Sequence, residues 1–261
     1  MFAEASFLAL MGILLPAALF AGFVDAVVGG GGLIQIPALF SVLPRELPAT
    51  IFGTNKVASV FGTLGAAWRY AGRVKVPWPA VLPTALMAFA FSYGGAAAVA
   101  WLSRDALRPL ILGLLVVAAA YTFWRQDFGA RHDPQVTGRR PLAYALLLGA
   151  AIGFYDGFFG PGTGSLLIFL FIRIFGFDFL HASAAAKIVN VATNFAALAY
   201  FVPAAHWLPV IAVLMAVCNI FGSWLGSHLA LKHGSQFVRK LFLLVVVMLI
   251  LRVAWDTFLA L

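Results

Sequence analysis

Charge is scarce in this sequence: Asp, Glu, Lys and Arg make up 10% of 261 residues, against about 25% in soluble domains. With 63% hydrophobic residues and a mean hydropathy of +1.00, too little polar sequence is left to clothe a water-soluble surface. Cysteine is nearly absent. The single Cys218 excludes an intramolecular disulfide and any multi-cysteine zinc or iron–sulfur site. Five histidines, His132, His181, His206, His228 and His233, show no H-E-x-x-H or paired ligand spacing, so neither a metal nor a cofactor is expected. Acidic residues number only nine, few for coordinating a transported cation. Long polar stretches are missing apart from Arg125 to Arg140; no soluble catalytic domain fits, and an enzyme is not expected.

The formal charge of +8 raises nucleic acid as a partner, but such binders gather their basic residues on one solvated surface. Here the 17 Lys and Arg sit mostly in short gaps between apolar runs. Their placement reads as a topology signal and as attraction to anionic lipid or solute. The expected partners are therefore membrane lipid and a small anion, and a homo-oligomer is compatible.

What the sequence does contain is apolar runs. Ten can be drawn, at 6–28, 33–43, 49–68, 78–101, 106–124, 142–159, 164–175, 181–202, 209–231 and 237–259. Eight are long enough to cross a bilayer, which takes about 20 residues of helix. The segments beginning near Leu33 and Ser165 are short, about 16 Å of helix each at 1.5 Å per residue, and cannot span a ~30 Å hydrocarbon layer. The first run lacks a basic n-region and is longer than a usual signal-peptide core, so it reads as a retained helix. The expected architecture is all-α and polytopic, with about eight full spans and two short broken helices. Its parts are a membrane repeat over 1–124, a cytoplasmic linker over 125–141 and a second membrane repeat over 142–261.

The repeat shows at an offset of 131 residues, where Gly22-Phe23-Val24-Asp25 falls on Gly153-Phe154-Tyr155-Asp156. The same shift places Gly29 on Gly160, Gly31 on Gly162, Lys56 on Lys187, Ser92 on Ser223, Gly95 on Gly226 and Arg108 on Arg239. Glycine matches mean little in so biased a composition. Aligned lysines and aspartates inside apolar runs mean more. Basic residues accumulate in cytoplasmic loops; Arg69, Arg73 and Lys75 mark one such loop, whereas its repeat partner around 200–206 falls at the 203–208 loop, which holds neither Lys nor Arg. Equivalent loops then face opposite sides, giving an inverted repeat of five plus five segments, an arrangement found in alternating-access transporters. A parallel four-plus-four arrangement with re-entrant short segments is the alternative.

Ionisable groups inside membrane segments cost at least ~2.5 kcal/mol each on insertion scales and mark functional candidates. Asp25, Lys56, Asp156 and Lys187 are such groups. Lys187, Asn190 and Asn194 fall at i, i+3 and i+7 on one helix face, and Lys56, Ser59 and Thr63 repeat the pattern, with Asn55 beside them. Two such faces presenting cations and hydrogen-bond donors to one centre suit an anion. Unwound glycine stretches, Gly29 to Gly32 and Gly160 to Gly164, precede the two short helices. Backbone donors of Gly30, Gly31, Gly32, Gly162, Thr163 and Gly164, at helix starts, would add to an anion site. Simpler readings exist for each. The lysines could snorkel to an interface, the asparagines could join helices, the glycines could serve close packing, and Asp25 and Asp156 could pair with lysine or backbone instead of carrying a coupling proton.

The paired G-F-x-D-x-x-x-G-x-G elements and the run A-x-A-A-A-K-I-V-N-x-x-T-N resemble the TauE/SafE sulfite exporter family, also called the toluenesulfonate uptake permeases. The matching stretches are Gly22–Leu33, Thr54–Thr63, Gly153–Ser165 and Ala182–Asn194. The resemblance implies movement of sulfite or small organosulfur anions across a bacterial inner membrane, commonly as export. Ser59 and Thr63 stand where the second half has Asn190 and Asn194, so the site is asymmetric. The sequence alone also admits an anion channel lined by the same lysines and, with less support, a metal-cation permease or membrane-embedded enzyme.

Overall fold

The computed structural model describes residues 2–99, 133–134 and 138–258. Eight helices are present among them: α1 (Phe2–Val28), α2 (Gly32–Val42), α3 (Pro48–Ala71), α4 (Trp78–Val99), α5 (Arg139–Phe158), α6 (Thr163–Phe175), α7 (Phe179–Phe201) and α8 (Pro209–Phe258). No strand occurs among the described residues.

Helix ends follow local chemistry. Helix α1 stops where Gly29 takes φ +76°, and α5 is followed by Gly160 at φ +89°; only glycine adopts such angles without strain. Pro48 opens α3 at a position where its missing N–H costs nothing. Asp178 caps α7, its carboxylate accepting the His181 N–H at 2.8 Å. Gly162 and Gly176, both left-handed, bracket α6.

The short segments are helices of 11 and 13 residues, and the glycine stretches are breaks, as the sequence predicts. Several boundaries differ. Arg139 and Arg140, read as linker, form the first turn of α5, and the runs at 209–231 and 237–259 join into α8, interrupted at Gly234 (φ 71°, ψ −166°). The run at 106–124 and most of the linker lie outside the described residues. Eight spans are expected over the whole chain; among the described residues, five stretches are long and apolar enough to cross a membrane, at Leu10–Val28, Trp78–Val99, Arg139–Phe158, Phe179–Phe201 and Pro209–Phe242. Helix α3 has 24 residues but falls short because Thr50, Thr54, Asn55, Lys56, Ser59, Thr63 and Arg69 dilute it.

The bundle's polarity is inverted relative to a soluble protein. Leu86, Leu147, Phe221 and Trp68 are exposed on its outside, whereas Lys56, Lys187, Asp156, Asn190 and Asn194 are buried within. Such a surface is matched to hydrocarbon and mismatched to water.

The most extensive helix contacts are α4 against α5 and α1 against α8. Both are made close by glycine. A Cβ on Gly153 would strike the Ala88 backbone and one on Gly22 the Asn219 backbone; Gly95 similarly abuts Phe154 O and Gly226 abuts Phe23 O. Small residues let helix backbones approach where lipid supplies no hydrophobic drive. Serines tie these pairs to further helices, Ser92 of α4 donating to Thr193 O of α7 at 2.9 Å and Ser223 of α8 to Gly62 O of α3 at 2.5 Å.

Candidate functional site

The two breaks meet each other. Gly29 lies against the Gly164 backbone so closely that a Cβ on either would overlap the other's chain. Across this contact the Ser165 N–H donates to Gly29 O at 3.2 Å and the Ser165 hydroxyl donates to Val28 O at 2.7 Å. The glycines thus serve close packing as well as chain reversal, and the start of α6 spends one of its backbone donors on the opposite break.

Around this junction the four intramembrane charges pair crosswise. Lys56 on α3 donates to Asp156 Oδ2 on α5 at 2.6 Å and to Asn194 Oδ1 on α7 at 3.0 Å. Lys187 on α7 donates to Asp25 Oδ2 on α1 at 3.0 Å, and that oxygen also accepts from Thr63 on α3 at 3.2 Å. Each lysine therefore answers the aspartate of the other half, and residues 63 and 194, which are 131 apart, complete the two clusters. Both lysines are buried, so neither snorkels. Breaking such a pair leaves an uncompensated charge, at about 3–5 kcal/mol.

Between the clusters lies a cavity of about 30 Å³, lined by residues of α1, α2, α3, α5, α6, α7 and α8 and of the two breaks. Asp25, Asn55, Lys56, Ser59, Thr63, Asp156, Asn190 and Asn194 all face it, with Gly31, Gly32, Thr163 and Gly164 at the helix starts. Among the described residues, the buried side-chain polar atoms without a hydrogen-bond partner are Gln35 Nε2, Asn55 Oδ1 and Asn190 Oδ1, and all three residues line this cavity. Buried polar groups are ordinarily satisfied. Their concentration here leaves one amide donor and two amide acceptors open at the cavity wall. No group of three or more His, Cys, Asp or Glu comes together among the described residues.

Three residues expected at the site stand behind it. Lys187 does not line the cavity, being wholly buried beneath Asp25. Gly30 and Gly162 are also outside the lining, each turned toward the Leu33 side chain, which a Cβ there would meet at ordinary contact distance. Conversely, Gln35, Asn219, Gly29 and Gly160 line the cavity. Gln35 and Asn219 have Leu166 and Ala88 at their repeat positions, so matching the halves hides them. Their one signal is polarity inside an apolar run.

Comparison with known proteins agrees with this architecture. Residues 14–253 match the family described as Sulfite exporter TauE/SafE. Probable membrane transporter protein ORF9 from Sinorhizobium sp is 35% identical over 249 residues, covering 95% of this chain and 93% of that protein. Probable membrane transporter protein YfcA of Escherichia coli K12 is 32% identical over 250 residues, covering 95% and 91%, and a probable membrane transporter protein of Haemophilus influenzae is 29% identical over 247 residues, covering 95% of each. No solved structure gives a significant match. With all but the ends of the sequence matched and a multi-helix bundle around buried charge pairs, the chain belongs to the Sulfite exporter TauE/SafE family of membrane transporters.

Proposed function

We propose that this protein is a secondary transporter of small anions, sulfite or organosulfur anions such as sulfonates, working by alternating access across a bacterial inner membrane. The observation that carries the reading is the gathering of two lysine–aspartate pairs and three unpartnered amides around one small cavity between the halves. The sulfur chemistry comes from the family's description. The cavity has room for two or three waters at ~10–15 Å³ each, too narrow in this conformation for a continuous water-filled pore.

In this reading the halves are inverted repeats that together contribute eight spans. Support for a repeat comes from the start of α2 and α6 at residues 131 apart, and from the equivalence of the α1–α8 and α4–α5 contacts under the same shift; the inversion rests on the loop charges. Lys56 supplies the charge nearest the solute, Lys187 balances Asp25, and Asn55, Ser59, Thr63, Asn190 and Asn194 supply hydrogen bonds. The first turns of α2 and α6, at Gly31, Gly32, Thr163 and Gly164, add backbone donors. Lys56, Lys187, Asp25 and Asp156 sum to zero formal charge, so an anion enters by displacing a carboxylate from its lysine or by arriving with a proton. Asp25 and Asp156 are the groups such a proton would occupy.

The test is counterflow of sulfite and methanesulfonate in proteoliposomes. Saturable flux that falls at least tenfold in Lys56→Ala is the expected result; unchanged flux in both Lys56→Ala and Lys187→Ala overturns the site. For the topology, Cys218→Ala removes the native thiol, and single cysteines at Arg73 and Ala205, both exposed, are labelled by an impermeant reagent. Inverted repeats expose them on opposite sides of the membrane, whereas labelling from the same side sinks the inversion.

A further inference from the structure

The cavity wall is two-fold in its charges but not in its amides. Gln35 on α2 is buried, lines the cavity and leaves Nε2 without a partner. Its other amide atom is held: Asn219 Nδ2 on α8 donates to Gln35 Oε1 at 3.3 Å and to Ala18 O at 3.4 Å. A main-chain carbonyl can only accept, so the Ala18 contact fixes which Asn219 atom is nitrogen. That in turn fixes Oε1 of Gln35 toward Asn219, and the remaining Nε2 hydrogens have only donors to offer.

The pair sits in a space made for it. Asn219 Oδ1 occupies the position a Cβ of Gly62 would take. At the positions 131 residues away, Gly62 becomes Thr193, Asn219 becomes Ala88 and Gln35 becomes Leu166. Small and large are exchanged between partner positions, and the amide is replaced by an aliphatic side chain. One half of the wall has thus acquired a polar arm that the other lacks.

Building on the anion-transporter reading above, we propose that Gln35 is a specificity-determining residue that donates a hydrogen bond from Nε2 to an oxygen of the bound oxyanion, with Asn219 as its positioning residue. The solute class is an anion bearing acceptor oxygens, held by Lys56 charge on one side and by the Gln35 amide on the other. A halide gains little from such an arm, because it presents no oxygen at a defined direction.

Sulfite uptake at graded concentrations, repeated with methanesulfonate, compares wild type with Gln35→Leu, Gln35→Glu and Asn219→Ala in proteoliposomes. A hydrogen bond to a charged acceptor predicts a KM raised roughly 10- to 100-fold in Gln35→Leu with the maximal rate within about twofold. Gln35→Glu, of the same shape but anionic, loses saturable uptake, and Asn219→Ala raises KM by a smaller factor than Gln35→Leu. If Gln35→Leu does not reach the membrane, Gln35→Met reads the same KM. Maximal rates lowered with KM unchanged, the mark of a merely structural role, overturn the proposal while leaving the transporter reading in place. Absence of Lys56-dependent uptake of either anion by the wild type overturns the reading on which it rests.

Discussion

The two charge clusters occupy equivalent positions in the halves and differ in which partner is reinforced. At the first, the lysine takes the extra bond: Lys56 holds both Asp156 and Asn194, and both charged side chains are 5% exposed. At the second, the carboxylate takes it: Asp25 accepts from Lys187 and Thr63, with the lysine fully buried and the aspartate 16% exposed. One cluster therefore presents a whole ion pair to the cavity, Lys56 with Asp156, and the other a carboxylate with its lysine behind. In the described conformation only Lys56 offers positive charge directly to a solute, which makes a duplicated sequence into a site with a polarity.

The largest expected effect breaks the first cluster. Lys56→Met strands Asp156 in a drier place than Lys187→Met strands Asp25. A loss of about 3–5 kcal/mol is expected for Lys56→Met and a smaller one for Lys187→Met, with stability partly restored in Lys56→Met/Asp156→Asn. Melting temperatures of the purified proteins in one detergent check this. Equal losses for the two lysines would remove the distinction between the clusters.

Next in size are the breaks. Gly29→Ala demands a left-handed alanine, itself about 1–2 kcal/mol, and drives a methyl into the Gly164 backbone, so folded yield falls sharply. Gly30→Ala, whose nearest neighbours are side-chain atoms at 3.5 Å and beyond, is tolerated within about 1 kcal/mol. A well-folded Gly29→Ala protein would show that the halves need not touch there.

Making the clusters alike gives a smaller effect. Asn194→Thr shortens the Lys56 acceptor out of reach and is expected to cost about 1.5–3 kcal/mol, the range for hydrogen bonds to charged groups. Thr63→Asn acts on the carboxylate side and costs less. The smallest change is Ser59→Ala. That hydroxyl bonds only weakly within its own helix, to Lys56 O at 3.4 Å, so stability stays within about 0.5 kcal/mol while the KM for sulfite rises a few-fold. A KM equal to wild type would remove Ser59 from the solute's contacts.

Much of this was readable along the chain. Glycine stretches ending two long apolar runs predicted the breaks, because φ above zero is open to glycine and nearly closed to other residues. The i, i+3, i+7 spacing of Lys187, Asn190 and Asn194 predicted one polar face, and Asn190 and Asn194 do share the cavity wall. The spans were less legible. Helix α3 carries the lysine face, and the polarity that makes it interesting lowers its hydropathy below that of its neighbours. Gln35 and Asn219 were invisible to a repeat search, since an arm present in one half has no echo in the other.

By itself the sequence determined a membrane bundle of helices with two interrupted segments and four charges buried in apolar runs, because composition and spacing act locally through hydropathy and backbone angles. Only the tertiary structure decided which charges pair. Desolvation requires each buried ion to find an opposite charge within a few ångströms, and which one lies there depends on helix adjacency in space. Crossing the halves puts Asp156 beside Lys56 and Asp25 beside Lys187, a pairing that separations of 100 and 162 residues along the chain do not announce.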